Sequence, residues 1–190
     1  MTTERHNVCF LGTFGCGKTS LIRRFLSTEF RGREPPTIGC MVHRPHVVTP
    51  AGDTTLYVYD TAGEERFMSL TQNFVRRADV VVVCYDTSNK ESFKDLQEVW
   101  IPFVRTNVAV EPSVFIVGTK TDLPKCEVPV ETAETYARNI RAHFLTTSAL
   151  DNNNVNKLFE EIANHFSLQA VAPKATNVSR PLDDRRLRLG

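Results

Sequence analysis

The sequence predicts an α/β fold, a mostly parallel sheet covered by helices on both faces. Three observations carry this reading. "DVVVVCYD" and "SVFIVGT" are nearly unbroken apolar runs without polar alternation, as strands buried on both faces require. The segment between them repeats its apolar residues at helical spacing. A glycine loop, "GTFGCGKT", stands between a first strand-like run and a first helical run, an arrangement that cradles phosphate.

The elements follow in order. "NVCFLG" is the first strand, and after the loop Leu21, Ile22, Phe25 and Leu26 form one helical face. "CMVHRPHVVT" and "TTLYVYD", joined by "PAGD", read as a hairpin; Pro45 has no N–H to give a ladder, so the first member belongs on an edge. After "DVVVVCYD", the stretch "NKESFKDLQEVWIPFV" places Phe93, Leu96, Trp100 and Phe103 on one face. "SVFIVGT" then leads to a helix near residues 130 to 141, a short strand "HFLTTS", and a last helix carrying Val155, Leu158, Phe159, Ile162 and Phe166. Residues 1–168 read as one domain. Residues 169–190, with two prolines, scattered charge and little periodicity, read as a flexible tail.

Composition narrows the classes of function. A chain of 190 residues with 41% hydrophobic and 24% charged content suits a single core. The net charge of +1 gives no general attraction to nucleic acid or to an anionic membrane. Five scattered cysteines without a CxxC pair read as reduced, cytoplasmic usage. No apolar run approaches the roughly 18 residues of a membrane span, and the start is too polar for a signal peptide.

From Gly12 to Thr19 the loop satisfies G-x-x-x-x-G-K-[ST]. Backbone N–H groups at Gly15, Cys16 and Gly17 wrap an anion at a helix N-terminus, and Lys18 neutralises its outer oxygens. Thr19 supplies a hydroxyl to Mg²⁺. "YDTAGEERF" ends a strand with Asp60 placed for the metal and Gly63 leaving its N–H open to a terminal phosphate. In "PPTIG", Thr37 is placed to close over the metal, and "GTKTD" follows a buried strand at the end where open α/β sheets bind ligands.

"GTFGCGKT", "PPTIG", "DTAGEERF", "TKTD" and "SAL" stand in the order and spacing of the small Ras-like GTPases, which the chain resembles over about residues 6 to 168. "DTAGEERF" with "RRADVVVVCYDTSNKESF" looks most like the Rab branch. The resemblance implies a six-stranded, mostly parallel sheet with one antiparallel edge strand and five helices. It implies GTP or GDP with Mg²⁺ as ligands, Thr19, Thr37 and Asp60 at the metal, and Lys18, Thr37, Gly63 and Glu64 around the reacting phosphate. Ser20 joins the phosphate loop. Asp122 takes the two guanine N–H groups, Lys120 lays its stem on the base, Phe30 stacks from the side, and Ser148, Ala149 and Leu150 complete the pocket. Protein effectors, an exchange factor and an activating protein are implied as partners, with an effector patch at Val42, Tyr59 and Phe74, where the Rab branch usually has phenylalanine, tryptophan and tyrosine.

The sequence departs from that family at four points. Glu64 stands where glutamine orients the attacking water, and an ionised carboxylate accepts but cannot donate. Phe14 replaces a glycine or small polar residue; its ring either crowds the terminal phosphate or folds outward without catalytic effect. Thr119 replaces an asparagine that reaches both base and phosphate loop, so guanine binding should weaken by about 0.5–1.5 kcal/mol per lost hydrogen bond. No cysteine follows Cys126, so the lipid attachment usual in the Rab branch is not offered, and a tail with five basic and two acidic residues from Ala170 gives only weak, salt-sensitive membrane binding. The expectation is a cytoplasmic guanine-nucleotide switch with slow GTP hydrolysis, serving vesicle trafficking and peripheral on endomembranes through partners. The rival is a pseudo-GTPase that holds nucleotide as a scaffold. A phosphate-transferring kinase is disfavoured because no acceptor site is evident.

Overall fold

The computed structural model describes residues 5–27, 32, 34–50, 52–64 and 67–171. The strands are β1 (His6–Leu11), β2 (Cys40–His43), β3 (His46–Thr49), β4 (Gly52–Thr61), β5 (Val80–Asp86), β6 (Ser113–Thr119) and β7 (His143–Thr146). The helices are α1 (Lys18–Leu26), α2 (Met68–Val75), α3 (Lys90–Asp95), α4 (Ile101–Asn107), α5 (Val130–Asn139) and α6 (Val155–Val171). The sheet order is β2-β4-β1-β5-β6-β7, with β3 beside β4. β4, β1, β5, β6 and β7 run parallel, while β2 and β3 pair antiparallel with β4.

β2 and β3 are one edge strand broken at Arg44 and Pro45, so the expected antiparallel edge is present in two pieces. Pro45 gives no donor, yet its carbonyl still accepts from Leu56 N at 3.0 Å, and this keeps the register across the break. α3, a π-helical turn over Leu96–Trp100, and α4 follow without a gap and act as one of the five helical bodies. Pro102 accounts for the turn: it has no N–H for Glu98, and its ring would strike that carbonyl. The helix widens just ahead of it, with Ile101 N donating to Leu96 O. α2 carries no long apolar stripe for periodicity to find; it buries only Thr71 and Val75.

The strands alternate between two cores. Val8, Phe10, Val80, Val82, Cys84, Phe115 and Val117 face α1 and α6, while Cys9, Leu11, Val81, Val83, Tyr85 and Ile116 face the other helices. Phe159 of α6 stacks between Phe10 and Phe25, with ring centroids 5.9 and 4.0 Å away. All five apolar residues expected on the last helix are buried. Leu26 departs from the face expected for α1: it closes the helix and is 45% exposed. α6 runs to Val171, and the rest of the expected tail lies outside the described residues.

α6 also docks by a polar contact at the base of the sheet. Ser113 Oγ lies 2.9 Å from His165 Nε2, and the His143 ring is 6.3 Å from that of His165. Burial pushes His165 below its usual 6.5 and His143 adds to this, with Asp79 opposing. A histidine depressed in the folded state favours folding while neutral, so its contribution is complete above the unfolded value and is lost as pH falls through the folded one. Urea midpoints should therefore drop between about pH 7.5 and about pH 5.5, and drop less in His165→Gln. Equal drops in the two proteins would remove His165 as the source.

Candidate functional site

The strand order reverses its direction of travel around β1, with β4 on one side and β5 on the other. Ligands bind beyond the carboxyl ends of strands at such places. A cavity of about 790 Å³ opens there, walled by the loop after β1, the start of α1, and the segments that follow β4, β6 and β7. Gly17 caps α1 with φ of 98°, a left-handed conformation that favours glycine. No side chain caps that helix and no acidic residue occupies its first turn, so its N-terminal donors and positive dipole end face the cavity. Lys18 lines the cavity with its stem buried, and its ammonium donates to Gly12 O at 2.7 Å and Thr13 O at 3.2 Å.

Beside this anion cradle, Thr19 Oγ1 donates to Asp60 Oδ2 at 2.8 Å and lies 3.1 Å from Thr37 Oγ1. Three residues from distant parts of the chain thus meet as two hydroxyls and a carboxylate. Asp60 has no exposed surface, and its Oδ1 has no hydrogen-bond partner. Burial pushes its carboxyl above the usual range; the Thr19 hydrogen bond and the charges of Lys18, His43 and Arg23 offset that in part. An orphaned buried carboxylate oxygen beside hard hydroxyl ligands fits Mg²⁺, which takes a few protein oxygens and completes its shell with water and phosphate. No group of three His, Cys, Asp or Glu side chains among the described residues offers a closed metal cage.

The far end of the cavity is built differently. Asp122 lines it, with Oδ1 fixed by Ser148 Oγ at 2.7 Å. Ser148 is itself held by the bridge to Asn153 and by Asp151 N, which donates to Oγ at 3.0 Å. Lys120 adopts φ of 60°, costly for a residue with a side chain, and its ammonium lies 2.7 Å from Asp86 Oδ2. Burial opposes ionisation of Asp86, but hydrogen bonds from Lys120 and Ser88 outweigh it and hold the carboxyl below its usual range. Thr119 is buried, and its hydroxyl sits 2.5 Å from Cys16 O and 2.9 Å from Tyr85 O. A hydroxyl has one proton. It is shared between these backbone carbonyls or goes to the nearer, Cys16 O, and so ties the phosphate loop to β6.

Gly63 presses against the phosphate loop: a Cβ there would come within 2.4 Å of Phe14 N and 2.6 Å of Gly12 O, so no side chain fits. Phe14 lines the cavity but is 57% exposed. Its neighbour Thr13 donates to Asp95 Oδ2 on α3 at 3.1 Å, a tether that the sequence did not reveal.

Of the residues named from the sequence, Gly15, Gly17, Lys18, Thr19, Ser20, Thr37, Gly63, Thr119, Lys120, Asp122, Ala149 and Leu150 line the one cavity. Ser148 acts through Asp122 and Asp60 through Thr19. Cys16 is buried away from the cavity, and its N–H donates to Thr13 O at 3.2 Å within the loop. Glu64 is not part of the lining; its carbonyl accepts from Phe67 N at 3.0 Å. Phe30 lies outside the described residues. Asp86 and Asp95 were missed because a carboxylate that acts by holding Lys120 or Thr13 leaves no mark in the spacing of the chain. Outside the cavity, Val42 pairs with Tyr59 across the β2–β4 ladder, and the Tyr59 and Phe74 rings lie 5.0 Å apart, so the three apolar positions form one patch.

An anion cradle linked through a metal-competent cluster to two separate loops has the anatomy of a nucleotide-dependent switch. Residues 7–167 match the model of the Ras family, and the chain belongs to that family of GTP-binding switches.

Thr119→Val keeps the shape but removes the hydroxyl, so it should lower folding stability by about 1–3 kcal/mol through the lost hydrogen bond to Cys16 O. Denaturant midpoints measure this. An unchanged midpoint would show that the hydroxyl does not hold the loop.

Proposed function

We propose that this protein is a Rab-like guanine-nucleotide switch with slow GTP hydrolysis, acting in membrane trafficking through effectors at the Val42, Tyr59 and Phe74 patch. The observation that carries the switch reading is the Thr19–Thr37–Asp60 cluster, because it ties the segment before β2, which holds Thr37, to the end of β4, where Asp60 leads into the loop of Gly63. Thr19, Thr37 and Asp60 would hold Mg²⁺, which would supply positive charge to the phosphate oxygens. Lys18 would exchange its carbonyl partners for those oxygens, and the N-terminal donors of α1 would face them. Asp122, oriented by Ser148, accepts from the base and selects guanine.

The chemical half of the site is weaker. Glu64, ionised, can accept a hydrogen bond from water but offers no donor to the phosphate, and it follows Gly63 of the lining without entering the lining itself. Phe14 shields one side of the cavity and obstructs a residue that an activating protein would insert. Water attack in line with the leaving phosphate is thus poorly oriented, and the nucleotide state persists. The rival reading, a nucleotide-holding scaffold without hydrolysis, rests on the same two residues carried to their limit. The Rab assignment rests on the sequence resemblance, and the protein works in the cytoplasm, reaching endomembranes through partners. The near-even charge balance fits this.

Single-turnover hydrolysis should run no faster than about 10⁻⁴ per second, the slow basal range of such switches. A rate tenfold higher would refute the impairment, and no turnover at all would favour the scaffold. Glu64→Gln and Phe14→Gly should each recover little, and the double variant should exceed the product of the two, with a coupling of about 0.5–3 kcal/mol. Full recovery by Glu64→Gln alone would clear Phe14 of any role. Asp122→Asn should move base preference from guanine toward xanthine, measured by nucleotide competition; unchanged selectivity would take Asp122 out of the site.

A further inference from the structure

The wing of the sheet formed by β2, β3 and β4 has one covered face and one open face. Along the edge, Pro45, Val47 and Thr49 are buried, whereas Val42, Arg44, His46 and Val48 point outward. On β4, Thr54, Leu56, Val58 and Asp60 point inward, and Thr55, Tyr57 and Tyr59 share the outward side. The apolar patch of Val42, Tyr59 and Phe74 ends that open face near the cavity. Next to it, one residue pair further along the sheet, the Tyr57 ring carries two guanidinium groups, Arg44 at 5.1 Å and Arg5 at 5.4 Å from its centroid.

Both arginines are exposed, and neither enters an ion pair among the described residues. The carboxylates nearby are engaged elsewhere: Asp53 lies 3.4 Å from His46 Nε2, and Asp79 accepts from Asn7 N at 2.8 Å. Both guanidinium groups are within cation–π reach of the ring, which favours their staying beside it. A guanidinium fork is matched by a carboxylate, which it binds in pairs of parallel hydrogen bonds. Two of them at one ring concentrate positive charge at this spot.

We propose that this open face docks an acidic segment of a protein partner, with carboxylates on Arg5 and Arg44 and an apolar side chain on the Val42, Tyr59 and Phe74 patch. The proposal rests on the reading of that patch as a partner surface. Tyr57 and Tyr59 are two residues apart on one strand, so the cationic and apolar centres are about 7 Å apart. That distance separates residues i and i+2 of an extended peptide, or about one turn of a helix. The partner segment therefore carries an acidic residue two positions, or one helical turn, from an aromatic or large aliphatic one. Arg5 and Arg44 lie outside the cavity and its loops, so the contact adds affinity and selectivity without taking part in nucleotide binding.

The test is selection of a random peptide library on the nucleotide-loaded protein, followed by binding of the enriched peptides to variants. Enriched peptides should pair Asp or Glu with an apolar residue at the stated spacing, and should bind Arg5→Ala/Arg44→Ala at least about tenfold more weakly. Arg44→Ala alone should move the same way if the double variant folds poorly, and added salt should weaken binding to wild type but not to the double variant. Enriched peptides without acidic residues, or unaffected by loss of the arginines, would overturn the proposal. So would phosphatidylserine vesicles that bind through Arg5 and Arg44 while no acidic peptide does, since the face would then meet a membrane. Arginine-dependent binding that is equal in the GDP-loaded and GTPγS-loaded proteins would sink the switch reading of the patch and leave the docking proposal standing.

Discussion

The carboxylate of Asp60 is fully enclosed, and one of its oxygens has no partner. An unpaired buried charge costs several kcal/mol, so such a group calls for a partner, and burial alone already pushes its carboxyl above the usual range. Much of the architecture serves to keep it there. β4 brings Asp60 level with Phe10 of β1, at the point where β1 runs out into the phosphate loop. α1 then starts so that Thr19 meets the carboxylate, and the approach of Thr37 from the segment before β2 closes the cluster. The segments that carry Thr37 and Gly63 are also tied to each other, since Ala62 N donates to Gly39 O at 2.9 Å.

Binding and chemistry depend on separate parts of this site. The cradle, the Thr19–Thr37–Asp60 cluster and Asp122 are held by backbone geometry and by hydrogen bonds within the protein. On our proposal, positioning of water depends instead on what residues 14 and 64 present to the terminal phosphate. These are two of the positions where the sequence departs from the pattern of the family it resembles. The substitution at Thr119 belongs to the first group. It spends its proton on the loop, alone or shared with β5, which preserves the scaffold while leaving the base with one anchor fewer.

The buried parts of the fold were legible because burial imposes periodicity. Apolar runs located β5 and β6, and a helical stripe located α6, whose five named residues are all buried. α2 was not legible, since eight residues with two buried side chains carry too little pattern. Leu26 was misplaced because helical spacing says nothing of where a helix leaves the core. At the site, the residues that line the cavity were readable from ordered motifs. The residues that hold them in place were not: the pairing of Asp86 with Lys120, and of Asp95 with Thr13, joins positions 34 and 82 apart whose sole signal is their meeting in space.

The open wing follows from the same topology that builds the site. An all-parallel sheet is covered on both faces by its crossover helices, but the β2, β3 and β4 wing is antiparallel and is joined by a turn, and its outer face meets a helix where Phe74 of α2 reaches Tyr59. That face must either be polar or be covered by another molecule. Here it is apolar at the end next to the nucleotide-responsive loops and cationic beyond them, with both arginines beside the Tyr57 ring. Tyr59 joins the two regions: its ring meets Phe74 of α2, and its hydroxyl donates to Asn7 beside the cationic spot. Movement of the loop that leads into α2 would thus shift Phe74 against a ring anchored at its other end, changing the apolar part of the surface while leaving the charged part in place. A partner that uses both would keep its charge contact in either nucleotide state and gain or lose its apolar anchor with the switch.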